Sequence, residues 1–84
     1  MLDKEIFEYK DFGCIKICLD DLMNSKNIST YELSTKSGIR FQTIQSLRKE
    51  ESTRINFDVL SKLCYMLDCN IEDIIKYIPS KHIL

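Results

Sequence analysis

An all-α fold of five short helices is what this sequence predicts, and three observations carry the expectation. Apolar residues recur at helical spacing in several windows. Good N-cap residues (Ser29, Asn56, Asn70) open three of those windows, and Gly38 and Pro79 stand where a helix has to stop. At 84 residues the chain is one domain, expected to bury roughly 60–65% of its unfolded surface. With no Trp, one Pro and two Gly, its composition suits short helices joined by tight turns.

Leu19, Leu22 and Met23 mark a first helix running to about Lys26 and stopping near Asn27. Ser29-Thr30-Tyr31-Glu32 then reads as a capping box: the Ser29 hydroxyl accepts the Glu32 backbone N–H, and the Glu32 carboxylate reaches back to the Ser29 N–H. A second helix therefore starts at Thr30, buries Leu33 and ends by Gly38, which tolerates the positive φ of a helix C-terminus. Ile39 plugs the corner. A third helix runs from about Arg40 or Phe41 to Lys49; Ile44 and Leu47 form its buried stripe, and Gln42, Gln45, Ser46 and Lys49 lie on the opposite face. Asn56 caps a fourth helix with Phe57, Leu60, Leu63, Cys64 and Leu67 at helical spacing. Asn70 caps a fifth with Ile71, Ile74, Ile75 and Ile78 as its apolar face, stopped by Pro79.

The first eighteen residues admit two readings. "EIFEY" and "CIKIC" form a hairpin around Gly13, or "CIKIC" alone is a short strand leading into the first helix. A lone hairpin is marginal in water and needs a surface to pack on. The expected division is an N-terminal extension over 1–14, the helical domain over 15–79 and a tail over 80–84.

Net charge is −1, but its distribution matters more than the sum. Residues 22–54 carry six cations against three acids, whereas residues 1–21 carry three against six. The middle third is a local positive patch, and local potential governs encounter with a polyanion. No apolar run approaches the ~20 residues that span a bilayer, and "MLDKEIFEYKD" is too charged for a secretion signal, so a cytoplasmic protein without a membrane partner is expected. In that setting Cys14, Cys18, Cys64 and Cys69 are expected as reduced thiols packed as small hydrophobes. Their x3 and x4 spacings fall short of the usual zinc-knuckle pattern, so no metal is expected. No nucleophile with an adjacent base and no Gly-rich phosphate loop is present; His82 is the single histidine and lies in the tail. Neither an enzyme nor a cofactor or small-molecule ligand is expected.

The string "ISTYELSTKSGIRFQTIQSL" resembles the phage-repressor (Cro-like, xenobiotic-response-element) helix-turn-helix family. It has a hydroxyl cap, Glu32-Leu33, a small residue at Ser34, Gly38-Ile39, then Thr43-Ile44 and Leu47 at the family's spacing. Downstream, "FDVLSKLCYMLDCNIEDIIKYI" resembles the family's fourth and fifth helices, so the likeness covers about Ile15 to Ile78. The sequence departs at Thr30, where Gln is common, at Arg40, where Ser or Thr usually caps the third helix, and at Glu50, where the family often has Gly.

The resemblance implies a five-helix, lambda-repressor-like domain that binds double-stranded DNA, its third helix in the major groove and its second crossing the backbone. Base contacts are then expected from Arg40, Phe41, Gln42, Gln45 and Ser46. Gln pairs bidentately with adenine, Arg pairs with guanine or holds a phosphate, and Phe41 either meets a thymine methyl or folds under as core. Phosphate contacts are expected from Ser29, Thr30, Lys36, Arg48, Lys49 and Arg54, with Arg48 also placed to pair with Glu51. A single module buries only ~600–1,000 Å² on DNA, which favours a homodimer on a two-fold operator. Its dimer surface is expected in the N-terminal aromatics (Ile6, Phe7, Tyr9, Phe12) or around Tyr77 to Leu84. The alternative is a protein-interaction module of the same fold, an antitoxin-like or phage accessory subunit.

Overall fold

The computed structural model describes residues 12 to 80. In chain order its elements are β1 (Cys14–Ile17), α1 (Leu19–Ser25), α2 (Thr30–Ser37), α3 (Phe41–Arg48), α4 (Phe57–Leu67), α5 (Ile71–Ile74) and β2 (Ile75–Ile78). All five helices begin at the expected positions, because each start is written locally. Ser29 Oγ accepts the Glu32 N–H at 3.0 Å, and Asn56 Oδ1 accepts the Val59 N–H at 2.7 Å. At α5 the Asp73 carboxylate accepts the Asn70 N–H at 2.9 Å. The Glu32 carboxylate, expected to reach back to Ser29, instead pairs with Lys36 at 3.0 Å, one turn along α2.

Helix ends are set by residues in the left-handed region. Gly38 closes α2 at φ 78°, its N–H donating to Ser34 O at 2.9 Å. Nothing lies within 4 Å of where a Cβ would stand, so conformation rather than space calls for glycine there. Asn27, Glu50 and Asp68 hold the equivalent conformation after α1, α3 and α4 at φ 57°, 58° and 49°. Each is followed by a residue whose N–H bonds back five positions: Ile28 to Met23 O, Glu51 to Ser46 O and Cys69 to Cys64 O. These bonds satisfy carbonyls that a helix end otherwise leaves open.

Leu19, Met23, Leu33, Ile39, Ile44, Leu47, Leu60, Leu63, Leu67 and Ile74 form one core shared by all five helices. Phe57, expected on the apolar face of α4, is 85% exposed. At 100° per residue it stands roughly 90° from the mean direction of Leu60, Leu63 and Leu67, too far round to reach the core.

The last helix is shorter than its apolar spacing suggests: α5 is a single turn, and Ile75–Ile78 is a strand. The run Ile74-Ile75-Lys76-Tyr77-Ile78 fits both a 3.6 and a 2.0 period and is rich in β-branched and aromatic residues. A partner decides between them. "CIKI" pairs antiparallel with "IKYI" in the register Cys14↔Ile78, Ile15↔Tyr77, Lys16↔Lys76, Ile17↔Ile75, and Cys18 N–H extends the pairing to Ile74 O at 2.6 Å. The reading of "CIKIC" as a strand leading into α1 therefore holds, while "EIFEY" lies outside the described residues. Ile17 and Ile75 share one face of this ribbon and pack on the core. Cys14, at its outer end, is exposed rather than packed, unlike Cys64 and Cys69; all four cysteines are free thiols. No helix among the described residues is long and apolar enough to cross a membrane.

Glu50 occupies its left-handed position without glycine's freedom, a strain of about 1–2 kcal/mol. Its ion pair with Lys16 at 3.5 Å joins two half-exposed groups and offsets little of that strain. Allowing about 0.4–1 kcal/mol for the chain entropy of glycine, Glu50→Gly is expected to stabilise the fold by about 0.5–1 kcal/mol. A guanidinium melt read by circular dichroism tests this; a lowered midpoint would show that the Lys16 pair outweighs the strain.

Candidate nucleic-acid interface

Helix α3 is seated by two fully buried residues, Ile44 and Leu47, and by the turn that precedes it. In that turn Ile39 is buried, yet neither of its backbone polar groups is left open. Ser37 Oγ accepts the Ile39 N–H at 3.0 Å, and Ser34 Oγ donates to the Ile39 carbonyl at 2.6 Å. The two serines let the chain pass through the apolar corner between α2 and α3 without an orphan group. Arg40 then stands at the N-cap in extended conformation with no side-chain cap bond.

With Ile44 and Leu47 inward, the outward face follows from the helical turn. Arg40, Phe41, Gln42 and Lys49 are exposed, Phe41 at 44%, whereas Gln45 and Ser46 are half-buried. Arg40, Lys49 and Arg54 form no ion pair with any described residue, so their charge is available to an anion. Ser29 and Lys36 are also exposed, though Ser29 caps α2 and Lys36 pairs with Glu32.

Thr30 and Arg48, expected among the phosphate contacts, have their side chains committed inside the protein. Arg48 donates through Nε to Asp20 Oδ1 at 2.7 Å, through Nη1 to Thr30 Oγ1 at 2.9 Å and through Nη2 to Asn24 Oδ1 at 2.9 Å. Its side chain is 17% exposed, and its acidic partner is Asp20 on α1 rather than the neighbouring Glu51. Thr30, 6% exposed, passes the network on by donating from Oγ1 to Gln45 Oε1 at 2.8 Å. The network joins α1, α2 and α3, and Asn24 Nδ2 closes it on Asp20 Oδ2 at 3.3 Å.

This arrangement is a helix-turn-helix: α2 and α3 joined by a tight glycine turn, α3 offering a polar, partly cationic face. A sequence model of the Cro/C1-type HTH DNA-binding domain matches residues 18–80. The chain belongs to the Cro/C1-type helix-turn-helix DNA-binding domain family. Two solved structures share the fold. A candidate DNA-binding protein from Bacteroides fragilis superposes with a TM-score of 0.67 at 17% identity, over 75% of this chain and 100% of that one. The transcriptional regulator VanUg superposes with a TM-score of 0.65 at 23% identity, over 86% of this chain and 95% of that one. No curated protein sequence matches the chain.

Three residues around this Cro/C1-type surface escape a reading of the motif alone. Asp20 and Asn24 anchor Arg48, yet they stand 28 and 24 residues away from it; the one local trace is their i, i+4 spacing on α1. Tyr31, 72% exposed at the start of α2 beside Ser29, presents a phenol that apolar periodicity cannot flag.

Arg48 and Lys49 are adjacent cations with opposite surroundings, which makes them a matched test. Arg48→Ala leaves Thr30 without its donor and Asp20 without its counter-charge, and is expected to cost about 1–3 kcal/mol of stability. Lys49→Ala, at an exposed position with no partner, is expected to stay within about 0.5 kcal/mol of the parent. Equal thermal midpoints for the two variants would mean that the network does not hold the helices together.

Proposed function

We propose that this Cro/C1-type domain is a sequence-specific, double-stranded-DNA-binding transcriptional regulator with α3 lying in the major groove. The observation that carries the reading is the outward face of α3. Arg40, Phe41 and Gln42 sit exposed at its N-terminal end, where a helix-turn-helix presents side chains to base edges, and Lys49 at its far end reaches toward the backbone. Gln42 retains both its carbonyl and its amino group, the pair that adenine N7 and N6 require. Gln45 and Ser46 complete the base-reading set. Ser29, the first-turn backbone N–H groups of α2, Lys36, Lys49 and Arg54 supply phosphate contacts that position without specifying. In this reading Thr30 and Arg48 serve the interface through the protein, holding α3 at its angle to α2.

A dimer fits the same reading, since one module contacts too little DNA for strong selectivity. Of the dimer surfaces expected on Ile6, Phe7, Tyr9 and Phe12 or around Tyr77 to Leu84, Ile6, Phe7, Tyr9 and residues 81–84 lie outside the described residues, while Phe12, Tyr77 and Ile78 are exposed. Elsewhere among the described residues, Phe57, Tyr65 and Ile71 are exposed beside Leu60, Cys64 and Cys69 along an apolar groove between α4 and α5, a face suited to a second copy. The same groove favours the rival reading, a protein-interaction module. Sedimentation separates them: dimers at tens of micromolar support the regulator, and a monomer without DNA affinity supports the rival.

On duplexes selected from a random pool, log affinity is expected to fall steeply and linearly with log salt. Gln42→Ala is expected to cost about 1–3 kcal/mol and to relax preference at one base pair, whereas Lys49→Ala weakens all sequences alike and reduces the salt slope by about one. Unchanged operator preference in Gln42→Ala would remove α3 from the groove.

A further inference from the structure

We infer that Gln45 reads DNA as a hydrogen-bond donor only, and that Thr30 is the positioning residue that makes it so; the inference rests on the DNA-binding reading above. The argument is one of proton direction. The Arg48 guanidinium has donors and no acceptor, and it stays protonated throughout the working pH range. Its Nη1 donates to Thr30 Oγ1 at 2.9 Å, so that oxygen is an acceptor toward Arg48 and its single hydrogen points elsewhere. Gln45 Oε1, at 2.8 Å, receives it.

The reversed amide orientation would set the Gln45 NH₂ group against the same oxygen. Two donors would then converge on Thr30 while its own hydrogen lay in a site 6% exposed with no acceptor among its hydrogen-bond partners. Donation therefore runs outward from the Arg48 guanidinium, to the Asp20 carboxylate on one side and through Thr30 to the Gln45 carbonyl on the other. What remains to face outward is the NH₂ group alone.

A free glutamine suits adenine because it meets the N7 acceptor and the N6 donor together. With its carbonyl held inward on the buried Thr30 hydroxyl, Gln45 turns no acceptor toward the adenine N6–H₂ and opposes the cytosine N4–H₂. Guanine, which presents two acceptors at N7 and O6, is the favoured base, with the single thymine O4 acceptor second. Gln42 has no such inward bond and keeps its adenine-reading pair, so two identical side chains three residues apart on one helix read different bases.

The test selects bound duplexes from a random pool with the full chain and with Gln45→Ala, Thr30→Val and Thr30→Ser. The base pair that Gln45→Ala relaxes is the one Gln45 faces. Guanine is expected there for the parent and for Thr30→Ser, preferred over adenine by about 5- to 100-fold. Thr30→Val, which frees the carbonyl, is expected to shift that position toward adenine and leave the Gln42 position unchanged. Adenine preferred by the parent, guanine preference surviving in Thr30→Val, or no position relaxed by Gln45→Ala would overturn the inference. If Thr30→Val proves unfolded, the parent decides alone: 7-deazaguanine at that position lowers affinity if Gln45 donates to N7, and an unchanged affinity counts against it. A parent that selects no sequence and shows no salt slope refutes the DNA-binding reading itself, an outcome distinct from selection of the wrong base.

Discussion

The Arg48 guanidinium reaches from the last turn of α3 to one residue on α2 and two on α1, and the position of the outward face of α3 depends on it. Apolar packing by itself fastens α3 at two points, Ile44 and Leu47, and two points on a short helix leave its pitch adjustable. A planar fork with donors in fixed directions does not, because rotating α3 would break several charge-assisted bonds together. Burial of a charge is tolerable here because its fork is matched: Asp20 supplies the counter-charge, and Thr30 and Asn24 take the remaining directions.

The same economy runs through the rest of the domain. Helices of four to eleven residues have little intrinsic stability, so their ends must be specified and their faces covered. Side-chain caps open α2 and α4, left-handed residues close four of the helices, and Ser34 and Ser37 satisfy the backbone of the buried Ile39. Only one of those left-handed closures uses glycine; Asn27, Glu50 and Asp68 carry the strain that the surrounding hydrogen bonds hold in place. Lys16 and Lys76 face each other across the ribbon, where like charges repel, and Lys16 is drawn off toward Glu50.

Charge shows how an acidic chain presents a cationic surface. Of the six cations between residues 22 and 54, Arg48 is turned to a structural task and Lys36 pairs along its own helix. Arg40, Lys49 and Arg54 are left exposed without an ion-pair partner among the described residues, with Glu50 and Glu51 exposed next to Lys49.

The helix starts, the turn at Gly38, the cap residues and the buried stripe of α3 were legible in the amino-acid string, since each is decided within a few residues by hydrogen bonding or by the 3.6-residue period. The family motif was legible for the same reason. The fate of "IIKYI" was not, because the string satisfies both periodicities until "CIKI", some sixty residues earlier, is brought alongside it. Nor were the roles of Arg48, Thr30 and Gln45. Side-chain type states which hydrogen bonds a residue can make, but which of them are spent inside the protein depends on partners that only the folded chain brings within 3 Å.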